Sequence, residues 1–141
     1  MPKQNQELQQ KYLELQYIIQ QITQLQQQIL AIQTQLLELK NLKGNLDKFD
    51  NLDSSKDAFV PLGYNIYTKA NLKNNKELLV NVGANVIVEK TIEETNELID
   101  EQIKEIEQVV NNLQMQLNEL ELRGQSLQEE LVKLTQKQQI I

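Results

Sequence analysis

The sequence predicts a mainly α chain with a small β segment: a long antiparallel two-helix coiled coil interrupted by two central β-hairpins that join those of other chains in an intersubunit sheet or β-barrel. Three observations predict it. Every seventh residue from Ile92 to the last residue is a large aliphatic, namely Ile92, Ile99, Ile106, Leu113, Leu120, Leu127, Leu134 and Ile141. A second such series, Leu8, Leu15, Ile22, Ile29 and Leu36, is followed three places on by Ile18, Leu25, Ile32, Leu39 and Leu46. Between the two stretches the apolar period falls from seven to two.

A strict seven-residue repeat keeps one helix seam apolar only if the helix supercoils left-handedly about a partner. In the first helix, spanning 1–51, the Leu8 series takes a and the Ile18 series takes d; Lys11 and Lys43 interrupt the seam at its ends. In the second helix, spanning 91–141, the Ile92 series takes d. Its a positions are Asn96, Ile103, Val110, Leu117, Gly124, Leu131 and Gln138. Each patterned stretch is roughly 45 residues, about 65–70 Å of helix. Matched lengths on either side of a middle segment point to one intrachain antiparallel hairpin. Asn96 reads as a polar position that sets register, and Gly124 as a weak point or a bend. The Gln-rich outer positions, such as Gln24, Gln26, Gln27 and Gln28, read as a solvated face of good helix formers.

The middle segment, 52–90, reads as four short strands. Ala58–Leu62 and Tyr64–Thr68 flank Gly63, a turn or bend point. Asn71–Lys76 is a polar loop, and Leu78–Val82 and Val86–Lys90 flank Gly83-Ala84-Asn85. Pro61 cannot donate to a ladder, so its strand lies at an edge or carries a bulge. Gly44 weakens the last turns of the first helix, which ends before Asp53-Ser54-Ser55. Thr91 with Glu94 three places on forms a capping box that starts the second helix. Strands this short cannot bury two sheet faces alone, and their open edges invite pairing with other chains. The segment therefore reads as an oligomerisation module, using Phe59, Val60, Leu62, Ile66, Leu78, Val80, Val82, Val86 and Val88.

Composition narrows the function. The 141 residues include no His, no Cys and no Trp, which removes the commonest general bases, thiol nucleophiles and zinc ligands. No glycine-rich phosphate loop is present. Neither an enzyme nor a cofactor or metal site is expected. A net charge of −6 opposes a phosphate-binding surface, so no nucleic-acid partner is expected. No run of eighteen apolar residues suggests a membrane span, and no signal segment opens the chain. A soluble cytoplasmic protein is the economical expectation.

Two motifs carry a family resemblance. Val60-Pro61-Leu62-Gly63 is similar to the VPLG stretch of prefoldins, and Val82-Gly83-Ala84-Asn85-Val86-Ile87-Val88-Glu89-Lys90-Thr91 to their VGxxVxVEK stretch. With heptads on both sides, the resemblance spans essentially the whole chain. Two hairpins resemble the α-type subunit; Asn85 stands where that type often has glycine, and Asn tolerates the left-handed backbone. The resemblance implies an ATP-independent chaperone in which two α-type subunits join four β-type subunits through a double β-barrel. Nonnative client proteins would be gripped at the coiled-coil tips and passed to a group II chaperonin. The alternative is a prefoldin-like scaffold whose β segments pair open-endedly into filaments.

The tips would be the two chain ends. Leu8 and Leu134 belong to the seam there, while Tyr12 at e, Leu13 at f, Tyr17 at c and Ile19 at e form an off-seam apolar cluster. Ile140 and Ile141 close the other terminus, where the last turns fray. Tyr12 and Ile19 either present a client surface or broaden the seam.

Overall fold

The computed structural model describes residues 2–52, 57–73 and 76–140, with the backbone alone for 2, 4 and 138–140. In chain order the elements are α1 (Pro2–Asp50), β1 (Asp57–Gly63), β2 (Ile66–Asn71), β3 (Glu77–Gly83), β4 (Val86–Thr91) and α2 (Ile92–Ile140). Two long helices thus bracket two antiparallel hairpins. The chain divides into two compact units, one combining Met1–Gln35 with Ile106–Ile141, the other holding Leu36–Glu105.

The first unit is a two-helix coil whose buried side follows the heptad. Ile18, Ile29, Leu117 and Leu127 are buried, and Leu8, Leu15, Ile22, Leu25, Leu113, Leu120, Leu131 and Leu134 are half-buried. Cross-helix ion pairs show that the helices run antiparallel: Lys11 Nζ meets Glu130 Oε2 at 2.8 Å, and Arg123 pairs with Glu14 three residues further along α1. Gly124 is buried at its a position, with the Ile18 side chain lying over it. Three hydroxyls in this coil, those of Thr23, Thr34 and Thr135, donate back to the carbonyl four residues earlier, which satisfies a side chain that would otherwise compete with the helix.

In the second unit Leu46, Ile92 and Ile99 are buried, and Lys43 Nζ reaches Asp100 Oδ1 at 2.6 Å. Gly44 lies within α1, which continues to Asp50, where the Asn51 amide donates to the Asp47 carbonyl at 3.0 Å. The start of α2 has the expected cap. The Glu94 N–H donates to Thr91 Oγ1 at 3.1 Å, and the Thr91 hydroxyl donates to Glu94 Oε1 at 3.1 Å. Thr95, off the seam, is buried nonetheless; its hydroxyl donates to the Thr91 carbonyl at 2.8 Å, so its polar atom is satisfied.

The β segment forms two separate two-stranded sheets, β1–β2 and β3–β4. Each hairpin breaks register before its glycine, between Pro61 and Gly63 and between Asn81 and Gly83. The missing N–H of Pro61 is thereby accommodated at a bulge, while in the second hairpin Asn81 Oδ1 accepts from the Gly83 N–H at 3.0 Å. One expectation is corrected here. Tyr64 and Asn65 do not open the second strand; they are the turn, with φ of 48° and 62°, and β2 begins at Ile66. Two consecutive positive φ values give the type I′ twist that matches a right-twisted ribbon. Ala84 and Asn85 repeat it at 50° and 62°. Asn71 belongs to β2, not to the loop, while Asn74, Asn75, Asp53, Ser54 and Ser55 fall outside the described residues.

Candidate functional site

Two surfaces leave apolar groups in water, one on each unit. On the coil the heptad decides which side chains are spare, because each residue away from a and d points off the seam. Tyr12 and Leu13 are 55% and 63% exposed, and Tyr17 and Ile19 are also more than half exposed. Tyr12 and Ile19 therefore do not broaden the seam; they stand beside it.

The structure gathers part of this cluster with the opposite helix. Leu8, Tyr12, Leu13 and Leu15 of α1 face Leu131, Val132 and Thr135 of α2 across a groove of about 700 Å³, with Gln9, Gln128 and Gln136 along it. Leu13 also borders a second depression, of about 570 Å³, with Tyr17 and Ile19. Leu13 thus stands where the two hollows meet. Lys11 lies among these residues in sequence, yet its ammonium is turned to Glu130 and Glu7, at 2.8 and 3.5 Å. The Glu130 carboxylate, accepting the hydrogen bond, raises the Lys11 pKa above its ordinary value and keeps the charge engaged at the helix surface. What remains in the groove is apolar side chain and glutamine amide.

Of the expected tip residues, Leu8, Tyr12 and Leu13 come together in the groove, and Tyr17 and Ile19 line the adjoining one. Leu134 is half-buried in the seam and does not line the groove. The Ile140 side chain and all of Ile141 lie outside the described residues. Sequence reasoning missed Val132, which is exposed and lines the groove opposite Tyr12. Its signal was an apolar b position next to the Leu131 seam residue. Leu30, Met115 and Leu122 are exposed off-seam as well, so exposure alone does not mark this end of the coil; the facing of two apolar sets across a groove does.

On the hairpins the apolar groups occupy both faces. Strand alternation and the cross-strand register put Ala58, Val60, Ile66, Thr68 and Ala70 on one face of the first hairpin and Phe59, Pro61, Tyr67 and Lys69 on the other. The second hairpin divides likewise: Leu78, Val80, Val86, Val88 and Lys90 against Leu79, Asn81, Ile87 and Glu89. Of the nine residues expected at an interface, Phe59 therefore faces away from Val60 and Ile66 in its own hairpin, Leu78, Val80, Val86 and Val88 share one face of the second, and Leu62 and Val82 sit at the bulges. The aliphatic face is already half-covered at Ala58, Ala70, Leu78 and Val80. The other face is open throughout, with Leu79 73% exposed. Four strands with this much exposed aliphatic surface need a partner.

Among the described residues no three acidic, His or Cys side chains gather in a way that would hold a metal ion. No described helix is long and apolar enough to cross a membrane.

Comparison with known proteins gives the following. The family model described as "Prefoldin subunit" matches residues 18–137, most of the chain. No curated protein matches the sequence. Among solved structures, the cryo-EM structure of filamentous PFD from Methanocaldococcus jannaschii is similar with a TM-score of 0.73 at 23% identity, covering 82% of this chain and 95% of that one. At that identity the likeness is one of fold: two helices and two small antiparallel hairpins.

Proposed function

The chain belongs to the prefoldin family, a family of non-enzymatic chaperones, and we propose that it is an α-type subunit acting as an ATP-independent holdase. In this reading two copies join four β-type prefoldin subunits through the hairpins. Nonnative proteins are held at the end of the coil formed by the two chain ends and then delivered to a group II chaperonin in the cytoplasm. The observation that carries the reading is the groove between Leu8, Tyr12, Leu13 and Leu131, Val132: about 700 Å³, apolar on both walls, and open to solvent. Such a surface binds exposed apolar segments by burying them and asks for no particular sequence. The glutamines along it can hydrogen-bond a client backbone without adding fixed charge.

The mechanism needs no chemistry beyond burial. An unfolded chain presents aliphatic and aromatic side chains; each one fully buried in the groove contributes about 1.5–3 kcal/mol against leaving it in water. One groove alone gives weak, reversible capture, and several grooves on one assembly hold a client by multivalency while leaving each contact easy to break. Release to a larger apolar cavity then requires no nucleotide.

The test is a fourfold variant, Tyr12→Ser, Leu13→Ser, Tyr17→Ser and Ile19→Ser, assembled with β-type partners. All four positions are exposed, so the thermal midpoint should stay within a few degrees while suppression of client aggregation falls at least fivefold. Undiminished suppression by the correctly assembled variant would remove the reading. A second reading, a filament-forming subunit, has support from the filamentous state of the similar archaeal structure; native mass with and without a β-type partner separates the two.

A further inference from the structure

The flank of the coil that holds the groove changes character toward the chain ends. In α1 the e positions are Tyr12 and Ile19 near the start, then Gln26, Gln33 and Lys40. In α2 every b position from Glu97 to Gln125 is polar or charged, and only the last, Val132, is aliphatic. A helix that pairs with one partner needs apolar residues at a and d alone, whereas a helix inside a bundle carries them at e or g as well. From Leu8 to Ile22, α1 has the bundle pattern: Leu8, Leu15 and Ile22 at a, Ile18 at d, Tyr12 and Ile19 at e. Past Ile22 it has the pattern of a pair. Yet the only helix the chain sets beside it is α2, and Tyr12 and Ile19 stay 55% and 53% exposed. The apolar stripe is wider than its partner, and only at this end of the coil.

The shape of the groove says what form of chain fills it. Its walls run from Leu8 to Leu15 and from Gln128 to Gln136, two turns each, or about 10–12 Å of helix axis. Over that length a helical occupant has about eight residues and turns four of them, at i, i+3, i+4 and i+7, to one side. An extended occupant has about four and turns two. The walls also offer no ladder to a strand, because their backbone groups are bonded within α1 and α2. Gln9, Gln128 and Gln136 can meet only some of the backbone groups an extended segment brings, and the rest lose water without a partner. Thr135 already gives its hydroxyl to the Leu131 carbonyl at 2.8 Å. A helix arrives with its backbone bonded and only a stripe to bury. None of the lining residues is charged, so that stripe can be wholly apolar.

We propose that the groove takes an amphipathic α-helix of the bound protein, which packs on α1 and α2 as the third helix of a local bundle, roughly 8–10 Å between axes. The inference rests on the reading of this groove as the client surface and adds the class of segment it takes. That class is set by pattern, with aliphatics at i, i+3, i+4 and i+7, and not by sequence. Short helices are marginal alone in water, so docking and helix formation are coupled. Nonnative chains with helical apolar periodicity are then preferred over chains that alternate.

The experiment uses the full chain and two fluorescent peptides of identical composition, each of about twenty residues, rich in Leu, Ala, Gln and Lys. One places its leucines at i, i+3, i+4 and i+7; the other alternates them with polar residues. By fluorescence anisotropy the first should bind at least tenfold more tightly. Circular dichroism of the mixture should exceed the sum of the separate spectra at 222 nm, as the peptide becomes helical. Tyr12→Ser/Val132→Ser changes one exposed residue on each wall and should weaken that binding at least tenfold at an unchanged thermal midpoint. Met115→Ser/Leu122→Ser, exposed elsewhere on α2, should leave it as it is. Equal affinity for the two peptides, no gain of helix, or a preference indifferent to Tyr12→Ser/Val132→Ser each overturn the proposal. Self-association of the parent that Tyr12→Ser/Val132→Ser abolishes would put a second copy in the groove and overturn it as well. Suppression of client aggregation is read separately on assemblies with β-type partners. Equal peptide binding with suppression lost in the fourfold variant removes the helix preference and keeps the client surface. Helix-selective binding with suppression intact in that variant removes the client surface and keeps the helix site.

Discussion

Gly124 is a buried glycine in the middle of a helix, and both halves of that description cost stability. Glycine in a helix interior is about 1 kcal/mol worse than alanine because the unfolded chain is freer. At an a position it also forgoes a seam side chain. The space is there: a Cβ at Gly124 would sit 3.4 Å from Ile18 Cγ2 and 3.9 Å from Leu15 Cδ1, ordinary van der Waals contacts. Gly124→Ala is therefore expected to raise the midpoint of thermal unfolding by roughly 3 °C, followed by circular dichroism at 222 nm. A lowered midpoint would mean that Ile18 cannot accept the methyl and that the glycine is kept for close approach. Asn96 poses the opposite problem at its own a position, since its Oδ1 is buried without a hydrogen-bond partner. A buried acceptor left unmade costs about 1–3 kcal/mol, a cost consistent with a polar residue kept to fix register rather than to stabilise.

At the scale of the elements the seam is held by apolar layers and closed by charge at two breaks. Lys11 occupies d and Lys43 occupies a, where an aliphatic would pack better. Each escapes sideways to a carboxylate of α2: Lys11 to Glu130, Lys43 to Asp100. These hydrogen bonds raise both pKa values above the ordinary lysine value of 10.5. A cation whose pKa is higher in the folded state stabilises that state fully below the unfolded value and loses the contribution as pH climbs through the folded one. The parent should thus lose thermal stability above about pH 10.5, and Lys11→Leu/Lys43→Leu should lose visibly less between pH 9.5 and 11.5. Equal losses would assign no role to the two pairs. The heptads show where these lysines stand but not whom they meet, because the partner depends on the stagger of α2 against α1, and a seven-residue period is silent on stagger. The same limit hid Val132, whose place in the groove depends on which turn of α1 it faces. The turn at Tyr64-Asn65 was hidden for another reason: a tyrosine at φ 48° has no local signature, whereas Gly83-Ala84-Asn85 between two valine-rich runs announces itself.

For the molecule as a whole, the decisive imbalance is between the surface the chain exposes and what one chain can cover. The coil buries its seam unaided, and Ile18, Ile29, Leu117 and Leu127 are out of water within a single chain. The hairpins do not: Leu62, Ile66, Leu79, Val82, Val86 and Ile87 stay exposed, and a two-stranded sheet is too small to bury its own faces. In the proposed reading assembly belongs to the hairpins and client binding to the chain ends, and the two should be separable by truncation. A chain lacking residues 1–17 and 135–141 deletes Leu8, Tyr12, Leu13 and one wall of the groove while keeping β1 to β4 and most of each helix seam. Mixed with β-type partners, it should give an assembly of the same stoichiometry by native mass, two copies with four partners, lighter only by the residues removed. Suppression of client aggregation by that assembly should fall to the level of buffer. Loss of stoichiometry would show that the ends of the coil contribute to assembly, and full suppression by the shortened assembly would move the client surface elsewhere on the chain, with the exposed Leu30, Met115 and Leu122 the next positions to change.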